Sequence, residues 1–167
     1  KHFGEKVAGS AEVALVVEEQ LAQAIDAPDN GISVYDLNQY NVQPVLMFHV
    51  LHSFKPVWGS GDDIDDSFLQ AVDFAREFLS RFITHAKAGV TMKELIRDNY
   101  ETTKDKSILV FDEKINSHML IEYDDVEVVV YPAETPEGVM WRATAIPVAH
   151  GTFENRVSFP ETWAGLN

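Results

Sequence analysis

Cysteine is missing from all 167 residues. That absence excludes a disulfide framework, a Cys-ligated zinc site, an iron–sulfur cluster and a thiol nucleophile, and it fits the cytoplasm or another reducing compartment. Cations are scarce too: 13 Lys and Arg stand against 27 Asp and Glu, a net charge of −14. So acidic a surface repels phosphate over most of its extent, which excludes wrapping of nucleic acid by charge neutralisation. Work on a polyanion needs a local site or a metal. Long apolar runs are also absent. Stretches such as 128–131 and 146–149 fall far short of the roughly 18 residues a bilayer-crossing helix requires, so no membrane partner is expected. Neither Gly-x-Ser-x-Gly, nor a phosphate-binding Gly-rich loop, nor a dinucleotide fingerprint occurs, which removes the commonest hydrolase, nucleotide triphosphatase and dehydrogenase signatures. The opening Lys1-His2-Phe3-Gly4 lacks both an initiator Met and a signal-peptide layout, and reads as a start inside a longer chain.

What is present supports a sizeable core, with 46% hydrophobic residues. Val13, Val17, Leu21 and Ile25 recur every four residues behind Ser10, so a helix capped by Ser10 is expected over 10–25, packed between neighbours. Pro28 and Asp29-Asn30-Gly31 end it in a tight turn. Leu37 begins a short helix, and 45–54 reads as another, started near Pro44. After the loop 55–61, the acidic run Asp62-Asp63-Ile64-Asp65-Asp66 opens the longest helix, with Phe68, Val72, Ala75, Leu79 and Phe82 as its stripe. That helix is expected to reach about Ala88. Gly89-Val90-Thr91 then marks a kink or break, and Thr91-x-x-Glu94 a capping box for a further helix through Tyr100. Beyond it, 107–111, 126–131 and 139–148 read as strands, the last two forming a hairpin around 132–138, with a short helix over 115–123. The tail 151–167 is loop-like, anchored by Phe153, Phe159 and Trp163. Helices first and strands later predict an α+β fold of two parts, 1–88 and 89–167.

Several residues invite chemistry. Asp26 and Asp29 emerge at a helix end on a constrained turn, and carboxylate oxygens suit hard cations such as Mn²⁺ or Mg²⁺. The plainer use of Asp-Asn-Gly is an Asx-turn in which Asp29 bonds its own backbone. His49 and His52 lie three apart on a helix, a spacing that places both on one face toward a cation, against the plainer reading of core or interfacial histidines. His150, before Gly151 at a strand end, is positioned for a cleft. Arg142 and Arg156 suit bidentate binding of a phosphate or carboxylate, against the plainer reading of a structural ion pair. The Asp62–Asp66 run lacks the Gly and distal Glu of a calcium loop and is better read as solvation of a helix start.

Longer stretches carry a resemblance. Ile25-Asp26-Ala27-Pro28-Asp29-Asn30-Gly31-Ile32, Phe54-Lys55-Pro56-Val57-Trp58, the helix over 65–82, Phe153-Glu154-Asn155-Arg156 and Phe159-Pro160-Glu161-Thr162-Trp163-Ala164-Gly165-Leu166 together resemble segments of the melanocyte-proliferating-gene family, a group of DHH-type phosphoesterases. The resemblance implies a metal-dependent phosphoester hydrolase, a phosphodiesterase or 3′–5′ exonuclease acting on RNA or oligonucleotides with Mn²⁺ or Mg²⁺. It implies Asp29, with Asp26 beside it or in its place, as metal ligand, and Arg156, with His150 and Arg142, on the substrate side. The first part is then the end of a DHH-type catalytic domain and the second a truncated accessory domain. The family's His-Cys-Asp-Glu and Asp-His-His motifs occur nowhere in this chain, so an internal fragment without catalytic residues of its own, inactive alone, is expected. Nucleotide or oligonucleotide is the implied partner, a homo-oligomer is allowed, and a eukaryotic source admits nucleus or mitochondrion. The competing reading is a non-catalytic binding or regulatory domain derived from the same fold.

Overall fold

The computed structural model describes residues 2–33 and 45–163. Among them the order is α1 (His2–Ala8), α2 (Ala11–Val17), a π-helical turn (Glu18–Ala22), α3 (Gln23–Asp29), α4 (Met47–His52), α5 (Ile64–Thr102), β1 (Ile108–Val110), a 3₁₀ turn (Ser117–Glu122), β2 (Val128–Thr135), β3 (Gly138–Ala145) and a 3₁₀ turn (Glu161–Trp163). The fold is α+β, as the helix-then-strand order predicts. The chain divides into two compact units, Lys1–Val90 and Thr91–Asn167, with the division inside α5. The short helix expected at Leu37 and the start at Pro44 lie outside the described residues.

In the first unit, Ser10 caps α2 as expected: its Oγ accepts the Val13 N–H at 3.2 Å. Ahead of it α1 is a helix that apolar spacing did not announce. The helical path then runs through the π-helical turn into α3 and ends four residues later than expected, at Asp29. Among the described residues it packs on one side only. Val13 is buried with Ala8 and Ala86, and Ala14, Val16, Val17, Ile83 and Val90 pack on them, whereas Leu15 and Ile25 face water. The extra residue in the π turn rotates whatever follows it, so a four-residue apolar repeat no longer keeps one face.

α5 is one uninterrupted helix of 39 residues, which corrects the break expected at Gly89–Thr91 and the fresh start at Thr91. A lone glycine costs a helix interior only about 1 kcal/mol. Ala86, Val90 and Ile96 bury surface on either side of it, outweighing that cost. The acidic start does solvate the helix end, since Asp63 Oδ1 accepts the N–H groups of Asp65 at 2.7 Å and Asp66 at 3.2 Å. No described helix is long and apolar enough to cross a membrane.

The second unit is built on a mixed sheet of order β1-β2-β3, with β1 parallel to β2 and β2 antiparallel to β3. The 3₁₀ turn lies on the crossover that a parallel pair requires. Ile96, Leu109, Phe111, Ile115, Leu120, Val126, Val129, Tyr131 and Ile146 form its buried core. The hairpin turn is tighter than expected, using only Pro136 and Glu137 between paired Thr135 and Gly138. β2 therefore runs through Pro132. That is possible because Val130 turns its polar backbone groups toward β1, accepting from Phe111 N–H at 2.9 Å, and Pro132, two residues on, turns its missing N–H to the same side beyond the end of β1. β3 stops at Ala145, short of the expected Val148, and Pro147 makes an isolated bridge with Asn155.

Candidate functional site

The end of α3 explains how Asp26 and Asp29 are presented. Pro28 forfeits one helical hydrogen bond, yet its fixed φ is helical and the turn continues. Gly31 makes the stop: at φ +73° its N–H donates to Pro28 O at 3.0 Å while Ile32 N–H donates to Ala27 O at 2.9 Å, the paired bonds of a Schellman end. Asn30 Nδ2 adds a bond to Asp26 O at 2.9 Å. With the backbone closed by these groups, neither carboxylate is needed for the turn. Asp26 and Asp29 are exposed, and neither side chain bonds another described residue. Asp29 therefore does not close an Asx-turn. The two carboxylates sit three residues apart, open to a cation, but no three His, Cys, Asp or Glu converge among the described residues. Two carboxylates alone do not complete a metal site, and no chemical step is routed through a metal here.

The remaining expected residues are dispersed. His49 caps its own helix: its Nδ1 accepts the Leu46 N–H at 3.0 Å and its ring lies 3.9 Å from that of Phe48. Arg142 is exposed on β3 opposite Tyr131, and His150 is exposed in a turn; neither has a polar partner among the described residues. Arg156 is different. Its Nη1 donates to the carbonyls of Tyr123 at 2.6 Å and Val126 at 2.7 Å, its Nη2 donates to that of Ile121 at 2.7 Å, and its backbone N–H donates to Ile146 O at 2.8 Å. Three of five guanidinium donors thus hold the carbonyl-rich exit of the 3₁₀ turn. This clamp, not aromatic burial, fastens the tail: Phe153 is fully exposed, and among the described residues Phe159 stacks only on Trp163, with ring centroids 5.9 Å apart.

Two features escaped sequence reading. In the first unit an open groove of about 890 Å³ runs between α4 and the start of α5, walled by Phe48, Leu51, Phe54, Phe68 and Val72, with His52, Lys55 and Asp62 also lining it. From Phe54 in that wall, a ladder of rings continues through Phe74, Phe78 and Phe82 at 5.5, 6.3 and 6.4 Å. The i, i+4 spacing of Phe74, Phe78 and Phe82 was the available signal, a second apolar row that meets the expected stripe at Phe82. In the second unit Tyr100 donates to Asp125 Oδ2 at 3.0 Å, packs against the Tyr123 ring at a tilt of 51° and lies under the Lys106 ammonium, whose Nζ also donates to the Tyr100 carbonyl. The hydrogen bond to Asp125, then desolvation and the charge of that carboxylate, raises the Tyr100 phenol above its ordinary pKa.

Comparison with known proteins adds what geometry does not. The model of the MYG1 exonuclease family, described as Uncharacterised protein family (UPF0160), matches residues 2–167. The MYG1 protein C694.04c of Schizosaccharomyces pombe is 27% identical over 99% of this chain and 58% of its own length. The MYG1 protein C27H6.8 of Caenorhabditis elegans is 29% identical over 89% of this chain and 48% of its own. The MYG1 exonuclease of Rattus norvegicus is 25% identical over 99% and 50%. The chain thus spans about half the length of the curated relatives it matches. No solved structure matches it significantly. With a family model aligned from the second residue to the last, this chain belongs to the MYG1 family.

Proposed function

We propose that this chain is part of a metal-dependent phosphoesterase of the DHH type, a phosphodiester hydrolase or 3′–5′ exonuclease acting on RNA or oligonucleotides. The observation that carries the reading is the end of α3, where Asp26 and Asp29 are displayed without structural employment on a backbone fixed by Gly31. Family membership supports it, as do the names of the rat and mouse relatives, MYG1 exonucleases. Hard carboxylate oxygens match Mn²⁺ or Mg²⁺. Such ions supply hydroxide near neutral pH and offset phosphate charge, which is how an acidic protein handles an anionic substrate. In this reading Asp29 is one ligand, Asp26 its neighbour or substitute, and the other ligands come from outside the described residues.

Arg156 belongs here as a substrate-side residue. Its two uncommitted N–H donors, with exposed Arg142 and His150 in the same unit, are the groups proposed to meet substrate phosphate. A second reading, a binding or regulatory domain without catalysis, is favoured by one observation: no metal-binding cluster converges among the described residues. The two part on a single experiment. A longer polypeptide carrying the family's amino-terminal motifs hydrolyses a phosphodiester with Mn²⁺ while these 167 residues alone do not; an inert longer polypeptide favours the binding module.

A further inference from the structure

The two units are unequally provided with core. In the second, nine buried residues from Ile96 to Ile146 close around the sheet. In the first, the buried residues among those described are Ala8, Val13 and Ala86, with half-buried side chains such as Val16, Val17 and Ile83 packed on them. Two alanines and a valine remove little apolar surface from water, and such burial is what offsets the conformational entropy of ordering a chain. The apolar side chains that would enlarge this core are present, but they stand in water. They gather at the groove between α4 and the start of α5, where Phe48 is 49% exposed, Phe68 66% and Ile64 71%, alongside half-buried Leu51, Phe54 and Val72. Trp58, three residues beyond Lys55 of the lining, is 99% exposed.

We propose that this groove is the seat of the remaining half of a longer MYG1-family polypeptide, which completes the core of the first unit by laying apolar side chains between α4 and α5. Length supplies the occupant: this chain spans about half of the curated relatives it matches, so in them a comparable length of polypeptide accompanies the matched region. The small core selects it. A unit completed by a transient partner would be marginal between encounters, whereas a covalently continuous segment is always present, at an effective concentration that separate proteins rarely reach. A second copy is disfavoured by the net charge of −14. A small polar ligand is disfavoured because the ionisable groups of the lining, His52, Lys55 and Asp62, are all exposed, so none is sequestered to orient it. This seat follows from family membership and stands whether or not the family polypeptide hydrolyses phosphodiesters.

Amide hydrogen exchange, read by mass spectrometry on the 167-residue chain and on a longer family polypeptide, tests this. Peptides from 47–75 should exchange roughly tenfold or more slowly in the longer polypeptide, while peptides from β2 exchange alike in both, because the second unit already has its core. Phe68→Asp should abolish the added protection in the longer polypeptide and leave the 167-residue chain unchanged, since Phe68 already faces water there. Should Phe68→Asp unfold the longer polypeptide, Ile64→Ser takes its place with the same two expectations. Equal exchange over 47–75 in the two polypeptides, added protection indifferent to the substitution, or protection of the 167-residue chain that grows with its own concentration overturns the proposal. Hydrolysis is not the readout, so an inert longer polypeptide that still protects 47–75 would remove the phosphoesterase reading and support the seat.

Discussion

The Arg156 guanidinium lies 2.7 Å from the carbonyl oxygen of Val126, thirty residues earlier, and the same group binds the carbonyls of Tyr123 and Ile121. Removing it leaves three part-buried acceptors unpaired at the exit of the 3₁₀ turn. Arg156→Ala should therefore cost about 2–3 kcal/mol in urea unfolding, more than a surface ion pair is worth. Arg156→Lys should recover little, because one ammonium cannot span three carbonyls as a planar fork does. Stability unchanged by either substitution would show that the clamp is not what fastens the tail.

Gly31 and Gly89 should respond in opposite directions. Gly31 holds a left-handed φ of +73° at the stop of α3, so Gly31→Ala should lower stability by about 1 kcal/mol, with Gly31→Asn milder. Gly89 lies inside α5, and an added methyl there meets nothing within 4 Å. Gly89→Ala should raise stability by roughly 0.5–1 kcal/mol. Thermal melts of the two variants give the signs directly, and a destabilising Gly89→Ala would restore the break that the sequence suggested.

Two titrations contribute to the pH dependence of the second unit. Asp105 Oδ1 accepts the Ser107 hydroxyl at 2.7 Å and the Ser107 N–H at 3.1 Å, which hold its carboxyl below the usual range. A lowered carboxyl pKa contributes stability that is present above the unfolded-state value, near 3.9, and is lost as pH falls through the folded value. Tyr100, raised by Asp125, has the opposite sign: its contribution is complete below about pH 10 and disappears as pH climbs through the raised value. In denaturant titrations across pH, Asp105→Asn should flatten the acid limb and Tyr100→Phe the alkaline one. Limbs that keep their slopes would assign the pH dependence to other groups.

Short-range chemistry was legible in the sequence and long-range pairing was not. Ser10, Asn30 and Gly31 act on neighbours within five residues, and their cap and stop could be read from residue type alone, whereas Pro28, read as part of the stop, lies inside α3. The helix–sheet order and the hairpin followed from periodicity and turn residues. Arg156 could not be read that way, because the carbonyls it binds lie 30 to 35 residues upstream and no local pattern announces them. Gly89 misled because glycine is a weak breaker when Ala86, Val90 and Ile96 pack around it. Asp29 was singled out by residue type and resemblance; its freedom from the turn depended on Gly31 and Asn30 taking over the backbone bonds.

The most direct test of the account is to count bound Mn²⁺ by paramagnetic resonance and assay phosphodiester hydrolysis in a longer family polypeptide, comparing wild type with Asp29→Ala and Glu134→Ala. Loss of bound metal and a drop in turnover of about a hundredfold or more with Asp29→Ala, and neither with Glu134→Ala, is the predicted result. Full metal occupancy and full turnover in Asp29→Ala would contradict it.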